Sequence, residues 1–133
     1  QYLIDLAKSL NVTISFETML TDGDLVKTYN QAMLTAFPSL LEPLGLVPLE
    51  SMSCGTPVIG VAEAGIRETI IHNETGLLTE RDPYTFGKAI QLLLNDTQLM
   101  SEMSQNGRRS VEEKWLWRHS FKTLEKNILK ATI

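Results

Sequence analysis

The stretch from Phe37 to Arg67, FPSLLEPLGLVPLESMSCGTPVIGVAEAGIR, restricts the possible folds of this chain more than any other. It reads as the end of a strand at Pro38, a loop through Glu42-Pro43-Leu44-Gly45, a helix from Leu46 to Cys54, and a buried strand from Pro57 to Val61. Gly55 stands where a left-handed residue closes a helix, and Pro57 just beyond cannot continue one. Strand, helix and strand in so short a run form a crossover unit, which places both strands parallel in one sheet.

The flanking sequence continues the alternation. Tyr2, Leu3, Leu6 and Leu10 share one face at helical spacing, so the chain enters within a helix. Asn11 to Phe16, NVTISF, is β-branched and predicts a strand, and Asp22 to Gln31 predicts a helix capped by Asp22 or Asp24. Ala32 to Phe37 is a further short strand, Ile66 to Ile71 a short helix, and Gly76-Leu77-Leu78 a minimal strand. Asp82-Pro83 starts a helix burying Phe86, Ile90, Leu93 and Leu94, and Thr97 starts another carrying Leu99, Met100 and Met103. A last amphipathic helix is expected to bury Trp117, Phe121, Leu124 and Ile128. The fold class is therefore α/β: a Rossmann-like parallel sheet with flanking helices, one partial domain over 1–133, incomplete at its start.

Composition removes several functions. Net charge is −4 with a sequence pI of about 5.1, so no global basic field gathers nucleic acid. The one basic run, Arg108, Arg109, Lys114 and Arg118, is interrupted by Glu112 and Glu113 and reads as a solvated helix face. The single cysteine, Cys54, can form no internal disulfide and points to a reducing, cytoplasmic compartment. One cysteine with two histidines does not make a structural zinc site, and no metal is expected. The uncharged run from Ser51 to Ala62 falls far short of the ~20 residues of a membrane span. Cys54 reads as a packed thiol, and His72 and His119 as surface residues.

Chemistry concentrates at the start of the 46–54 helix. Ligands of open α/β sheets bind outside the carboxyl ends of strands, where the loop after Phe37 lies. A helix N-terminus there offers unpaired N–H groups and the positive end of a dipole, which suits a phosphate. Pro48 has no N–H, which leaves Gly45, Leu46 and Val47 as donors, enough for a diphosphate. Glu42 in the loop and Glu50 about one turn inside the helix flank this seat. Each carboxylate can accept hydrogen bonds from a vicinal diol, one from a sugar and one from a ribose. A nucleoside-diphosphate sugar has that layout. Spacing alone leaves two other readings open: a capping acid beside a solvated helix acid, and the acid–base pair of a glycoside hydrolase.

The composite EPLGLVPLESMSCGTPVIGVAEAGIRETI, followed by NETGLL, resembles the retaining GT-B glycosyltransferases of group 1, glycosyltransferase family 4. The likeness runs from NVTISF, through the Tyr29-Asn30 helix and the FPS strand end, to the Trp117 helix. It implies transfer of a hexose from a UDP-, GDP- or ADP-sugar with retention at the anomeric carbon, without a cofactor and usually without a metal. On this resemblance Glu42 lies beside the transferred sugar and is the catalytic position. Glu50 binds the ribose hydroxyls, the amides at Leu46 and Val47 hold the β-phosphate with Gly45 beside them, and the loop at Phe16, Met19 and Leu20 frames the base. The leaving phosphate takes the acceptor's proton in a same-face displacement.

Two departures stand out. The Arg and Lys that clamp the diphosphate in this family, and its acceptor domain, have no counterpart here and are expected upstream of Gln1. Contact with a membrane surface, if the protein makes any, would also fall to that half. These residues alone are therefore expected to transfer no sugar. Ala64-Gly65 also replaces a common Gly-Gly. A non-catalytic nucleotide-sugar-binding module and a sugar-nucleotide epimerase are the alternative functions, although no further acid–base pair of the kind an epimerase needs is visible.

Overall fold

The computed structural model describes residues 1–131. Three parallel strands, β1 (Thr35–Phe37), β2 (Val58–Val61) and β3 (Gly76–Thr79), lie in sequence order. Thr35 pairs with Val58, and Val58 in turn with Gly76. Seven α-helices surround them: α1 (Tyr2–Ser9), α2 (Asp22–Gln31), α3 (Leu46–Ser53), α4 (Ile66–Thr69), α5 (Pro83–Asn95), α6 (Thr97–Ser110) and α7 (Trp117–Ala131), with a π-helical turn at Val111–Trp115 between the last two.

β2 is buried at every position because it is the central strand and is covered on both faces. Alternation along the strand divides the core. Val58 packs with Leu49, Met52, Ile66, Ile70 and Val111 on one side of the sheet, and Ile59 packs with Leu77, Leu93 and Met103 on the other. The caps follow the sequence closely. Asp82 accepts from the Thr85 N–H at 2.7 Å with Pro83 opening α5, and Asp96 accepts from the Leu99 N–H at 2.9 Å ahead of Thr97. Gly55 takes φ +76° and closes α3 as expected. On the surface of α6, Arg108 pairs with Glu112 at 3.1 Å, which bears out the solvated reading of that basic run.

Four expectations differ from the structure. Residues 11–16 form no strand: Val12, Ile14 and Phe16 are exposed, and no neighbouring strand offers them ladder partners among the described residues. β propensity expresses fit to a paired, half-buried surface, and without that surface it produces no strand. The cap of α2 is Thr21, whose hydroxyl accepts from the Asp24 N–H at 3.2 Å, rather than Asp22 or Asp24. Leu94 is exposed, while Leu93 takes the core position on α5. Finally, α7 forms with the anticipated periodicity, but Trp117, Phe121, Leu124 and Ile128 are all more than half exposed. Its packing is mainly against the π-helical turn, and Trp117 and Phe121 meet each other at 6.1 Å between ring centroids.

α3 is held to the sheet by a buried polar connection. The Ser51 hydroxyl donates to the Thr56 carbonyl at 3.0 Å and lies 2.8 Å from the Thr35 hydroxyl on β1, which donates to it in turn. The Thr56 N–H returns to the Ser51 carbonyl at 3.0 Å, and the Thr56 hydroxyl donates to the Tyr29 carbonyl at 2.7 Å. Ser51 is fully buried, so deleting its hydroxyl strands two partners away from water. Ser51→Ala is expected to lower unfolding stability by about 1–3 kcal/mol, read from the denaturant midpoint. A change below about 0.5 kcal/mol, the scatter of an ordinary surface substitution, would show that water or relaxation replaces the connection.

Candidate functional site: the N-terminus of α3

The loop from Pro38 to Gly45 leaves the carboxyl end of β1 and delivers the chain to α3. Gly45 is the N-cap residue at φ +78°, a left-handed conformation in which a Cβ would stand 2.8 Å from the Thr69 hydroxyl oxygen. The loop is pinned from the other side by Gly65, whose N–H donates to the Glu42 carbonyl at 3.0 Å. A Cβ on Gly65 would run into the Pro43 backbone, so the glycine is what lets the two segments touch.

Glu42 turns its side chain back onto this loop. Its Oε1 accepts from the Gly45 N–H at 3.1 Å and reaches the Leu44 N–H at 3.5 Å. Glu42 thus acts as a capping acid, and one of the three anticipated amides is engaged. The N–H groups of Leu46 and Val47 belong to the first helical turn and have no intrahelical acceptor, and Pro48 has no N–H. Two adjacent donors thus remain, at a helix end with Leu46 exposed and Val47 half-buried.

Glu50 is exposed one turn further along and accepts from the Tyr29 hydroxyl through Oε2 at 3.2 Å. Burial, reinforced by the Glu50 charge and by this hydrogen bond, pushes the Tyr29 hydroxyl up to about 12. Tyr29 is thus a neutral donor throughout the physiological range. Its part in the site was not anticipated from sequence, because the two residues lie 21 positions apart on different helices.

The remaining sequence candidates fall elsewhere. Phe16, Met19 and Leu20 are exposed in a segment without regular structure and form no hydrogen bond to α3 among the described residues. Cys54 is a half-buried free thiol at the end of α3. The His72 Nδ1 accepts from the Leu78 N–H at 2.9 Å, and the His119 Nε2 lies 3.1 Å from the Glu112 carbonyl, so the two histidines serve separate local contacts.

A second anchor joins the loops that follow the three strands. Arg81 forms a two-pronged ion pair with Glu63 at 2.9 and 2.7 Å and donates to the Pro38 and Ser39 carbonyls at 3.3 and 2.8 Å. The hydrogen bond from Arg81 holds the Glu63 carboxyl below its usual range. Beside Arg81 opens an apolar cleft of about 390 Å³ lined by Pro38, Val61, Pro83, Phe86 and Ile90, and neither Glu42 nor Glu50 lines it.

The fold and this loop–helix arrangement belong to a recognisable class, the C-terminal Rossmann-like half of GT-B glycosyltransferases. Sucrose-phosphate synthase from Thermosynechococcus elongatus matches with a TM-score of 0.85 and 32% identity, over 97% of this chain and 34% of that one. Anabaena HepE, solved in complex with UDP, matches with a TM-score of 0.84 over 97% of this chain and 36% of that one; at 20% identity this is a likeness of fold. In sequence, the D-inositol 3-phosphate glycosyltransferase of Salinispora arenicola is 39% identical over 111 residues, 81% of this chain and 25% of that protein. Residues 1–110 match the family described as glycosyl transferases group 1, and the chain belongs to that family. It spans about a quarter of the Salinispora protein and about a third of the synthase.

Ala64, which stands where Gly-Gly is common, has φ +43° in the structure. A left-handed alanine costs about 1–2 kcal/mol, and glycine's extra unfolded-state freedom returns part of that. Ala64→Gly is expected to raise stability by about 0.5–1 kcal/mol in chemical denaturation. A loss of stability would mean that Ala64 sits there without strain.

Proposed function

We propose that this chain supplies the donor site of an enzyme that transfers a hexosyl group from a nucleoside-diphosphate sugar to an acceptor, with retention at the anomeric carbon. The observation that carries the reading is the start of α3, where two unpaired amides at the carboxyl end of β1 lie between Glu42 and Glu50. The diphosphate takes the Leu46 and Val47 N–H groups, Glu50 takes the ribose diol, and Glu42 faces the sugar. HepE, similar in fold, is solved in complex with UDP, which supports a nucleotide ligand for this fold.

In the transfer, the bond from the anomeric carbon to the phosphate oxygen breaks and the acceptor oxygen bonds to that carbon on the same face. The departing phosphate receives the acceptor's proton. Negative charge grows on the leaving phosphate, and amides already oriented toward it stabilise that charge without reorganisation. Glu42, poised at the loop, would accept hydrogen bonds from sugar hydroxyls and orient the ring. No cofactor takes part, and the rest of the cleft, including the cationic clamp and the acceptor site, is assigned to residues outside this chain.

Two substitutions in the full-length protein test the assignments. Glu50→Ala should weaken nucleoside-diphosphate binding by about 1.5–3 kcal/mol, the range of a charge-assisted hydrogen bond. Unchanged affinity in calorimetry would remove Glu50 from the ribose. Glu42→Gln keeps a carbonyl oxygen for the Gly45 N–H, so the loop survives while the charge is lost. It should lower kcat and leave nucleoside-diphosphate affinity nearly unchanged. The opposite pattern, with kcat kept and affinity lost, would exchange the two roles.

A further inference from the structure

Tyr29 is tied at both ends to the unit formed by α3 and the turn that follows it. Its carbonyl accepts from the Thr56 hydroxyl at 2.7 Å and from the Ala32 N–H at 3.1 Å, and Thr56 is buried. Its hydroxyl donates to Glu50 Oε2 at 3.2 Å. An exposed glutamate on a helix ordinarily samples several rotamers at little cost. Here the ring of a neighbouring helix, itself fixed through its backbone, selects one of them.

We propose that Tyr29 is a positioning residue for nucleotide recognition, holding the Glu50 carboxylate in the orientation that accepts a ribose diol. The inference rests on the donor-site reading above. An ionised carboxylate has about four lone-pair directions, so one bond from Tyr29 leaves enough for two ribose hydroxyls. The Tyr29 hydroxyl has a single proton and gives it to Glu50. Because that hydroxyl ionises only near 12, the direction of the bond is the same at any pH at which the protein would work. Holding Glu50 in place before the ligand arrives removes an ordering cost from binding, and the gain is confined to ligands that use Glu50.

That confinement separates positioning from general structural support. The test measures dissociation constants of the full-length protein for UDP, GDP and ADP, and then for the 2′,3′-dideoxy counterpart of whichever binds most tightly. Wild type, Tyr29→Phe, Glu50→Ala and the double variant are compared. Tyr29→Phe keeps the ring and removes only the hydroxyl, and a thermal melt of each variant accompanies the binding data. Wild type should prefer the ribonucleotide, and Tyr29→Phe should weaken ribonucleotide binding about fivefold to tenfold without changing dideoxynucleotide binding. Glu50→Ala should abolish the preference, and adding Tyr29→Phe to it should change nothing more, since the tyrosine acts through the carboxylate.

Equal loss for both nucleotides in Tyr29→Phe, or no loss for either, would overturn the positioning role while the Glu50 result keeps the donor-site reading intact. A ribonucleotide preference that survives Glu50→Ala, or no binding of any of the three nucleotides, would overturn the donor-site reading itself and the role of Tyr29 with it.

Discussion

The Ser51 hydroxyl is the point on which the geometry of the site depends. It sits inside a helix that has to end abruptly, turn, and lead into the central strand, and it joins the helix to that turn and to β1. It bonds to Thr35 on β1 and to the Thr56 carbonyl in the turn, while Thr56 reaches Tyr29 on α2. Two elements distant in sequence, β1 and α2, are thereby fixed to the carboxyl-terminal end of α3 and the turn that follows it. Apolar packing of Leu49 and Met52 supplies most of the cohesion between α3 and the sheet, but it is non-directional. The hydroxyl network supplies direction, and therefore decides where the other end of the helix points.

At that other end the controlling constraint is close approach of backbone to backbone. Gly65 lies against the Pro43 backbone and bonds to Glu42, and Gly45 adopts the left-handed turn that opens the helix. The two amides left over are oriented by the fold, not by a ligand. Arg81, joined to Glu63 and to the Pro38 and Ser39 carbonyls, stiffens the base of the same loop from the side of β3. The Glu42 carboxylate lies against the Gly45 amide, so a phosphate at the Leu46 and Val47 amides would meet a neighbouring negative charge. A cationic group beside the phosphate would offset that repulsion.

Much of this was legible in the sequence where the determinants are local. Asp82-Pro83, Gly55 and Pro57 mark element ends by their own backbone chemistry, and the apolar run of Val58 to Val61 announces a strand buried on both faces. Elements whose formation depends on a partner were not legible in the same way. NVTISF has strand composition, but a strand exists only beside another, and Val12, Ile14 and Phe16 lie exposed. The α7 pattern correctly foretold an amphipathic helix, while periodicity could not say which surface its apolar face meets. In the site, Glu42 and Glu50 were visible from their place around a helix start. The Tyr29–Glu50 contact spans two helices and carries no spacing signal, and the involvement of Glu42 with Gly45 is a matter of rotamer, which sequence does not specify.

The central claim is that the first turn of α3 seats a diphosphate through the Leu46 and Val47 amides. Selective ¹⁵N labelling of leucine and valine in the full-length protein gives a direct view of both. On titration with a nucleoside diphosphate, the account predicts large, saturating shifts of the Leu46 and Val47 amide resonances, and none of that size with the corresponding nucleoside. A shift of the Val61 amide, beside the Arg81 cleft, with the α3 amides unmoved, would contradict it.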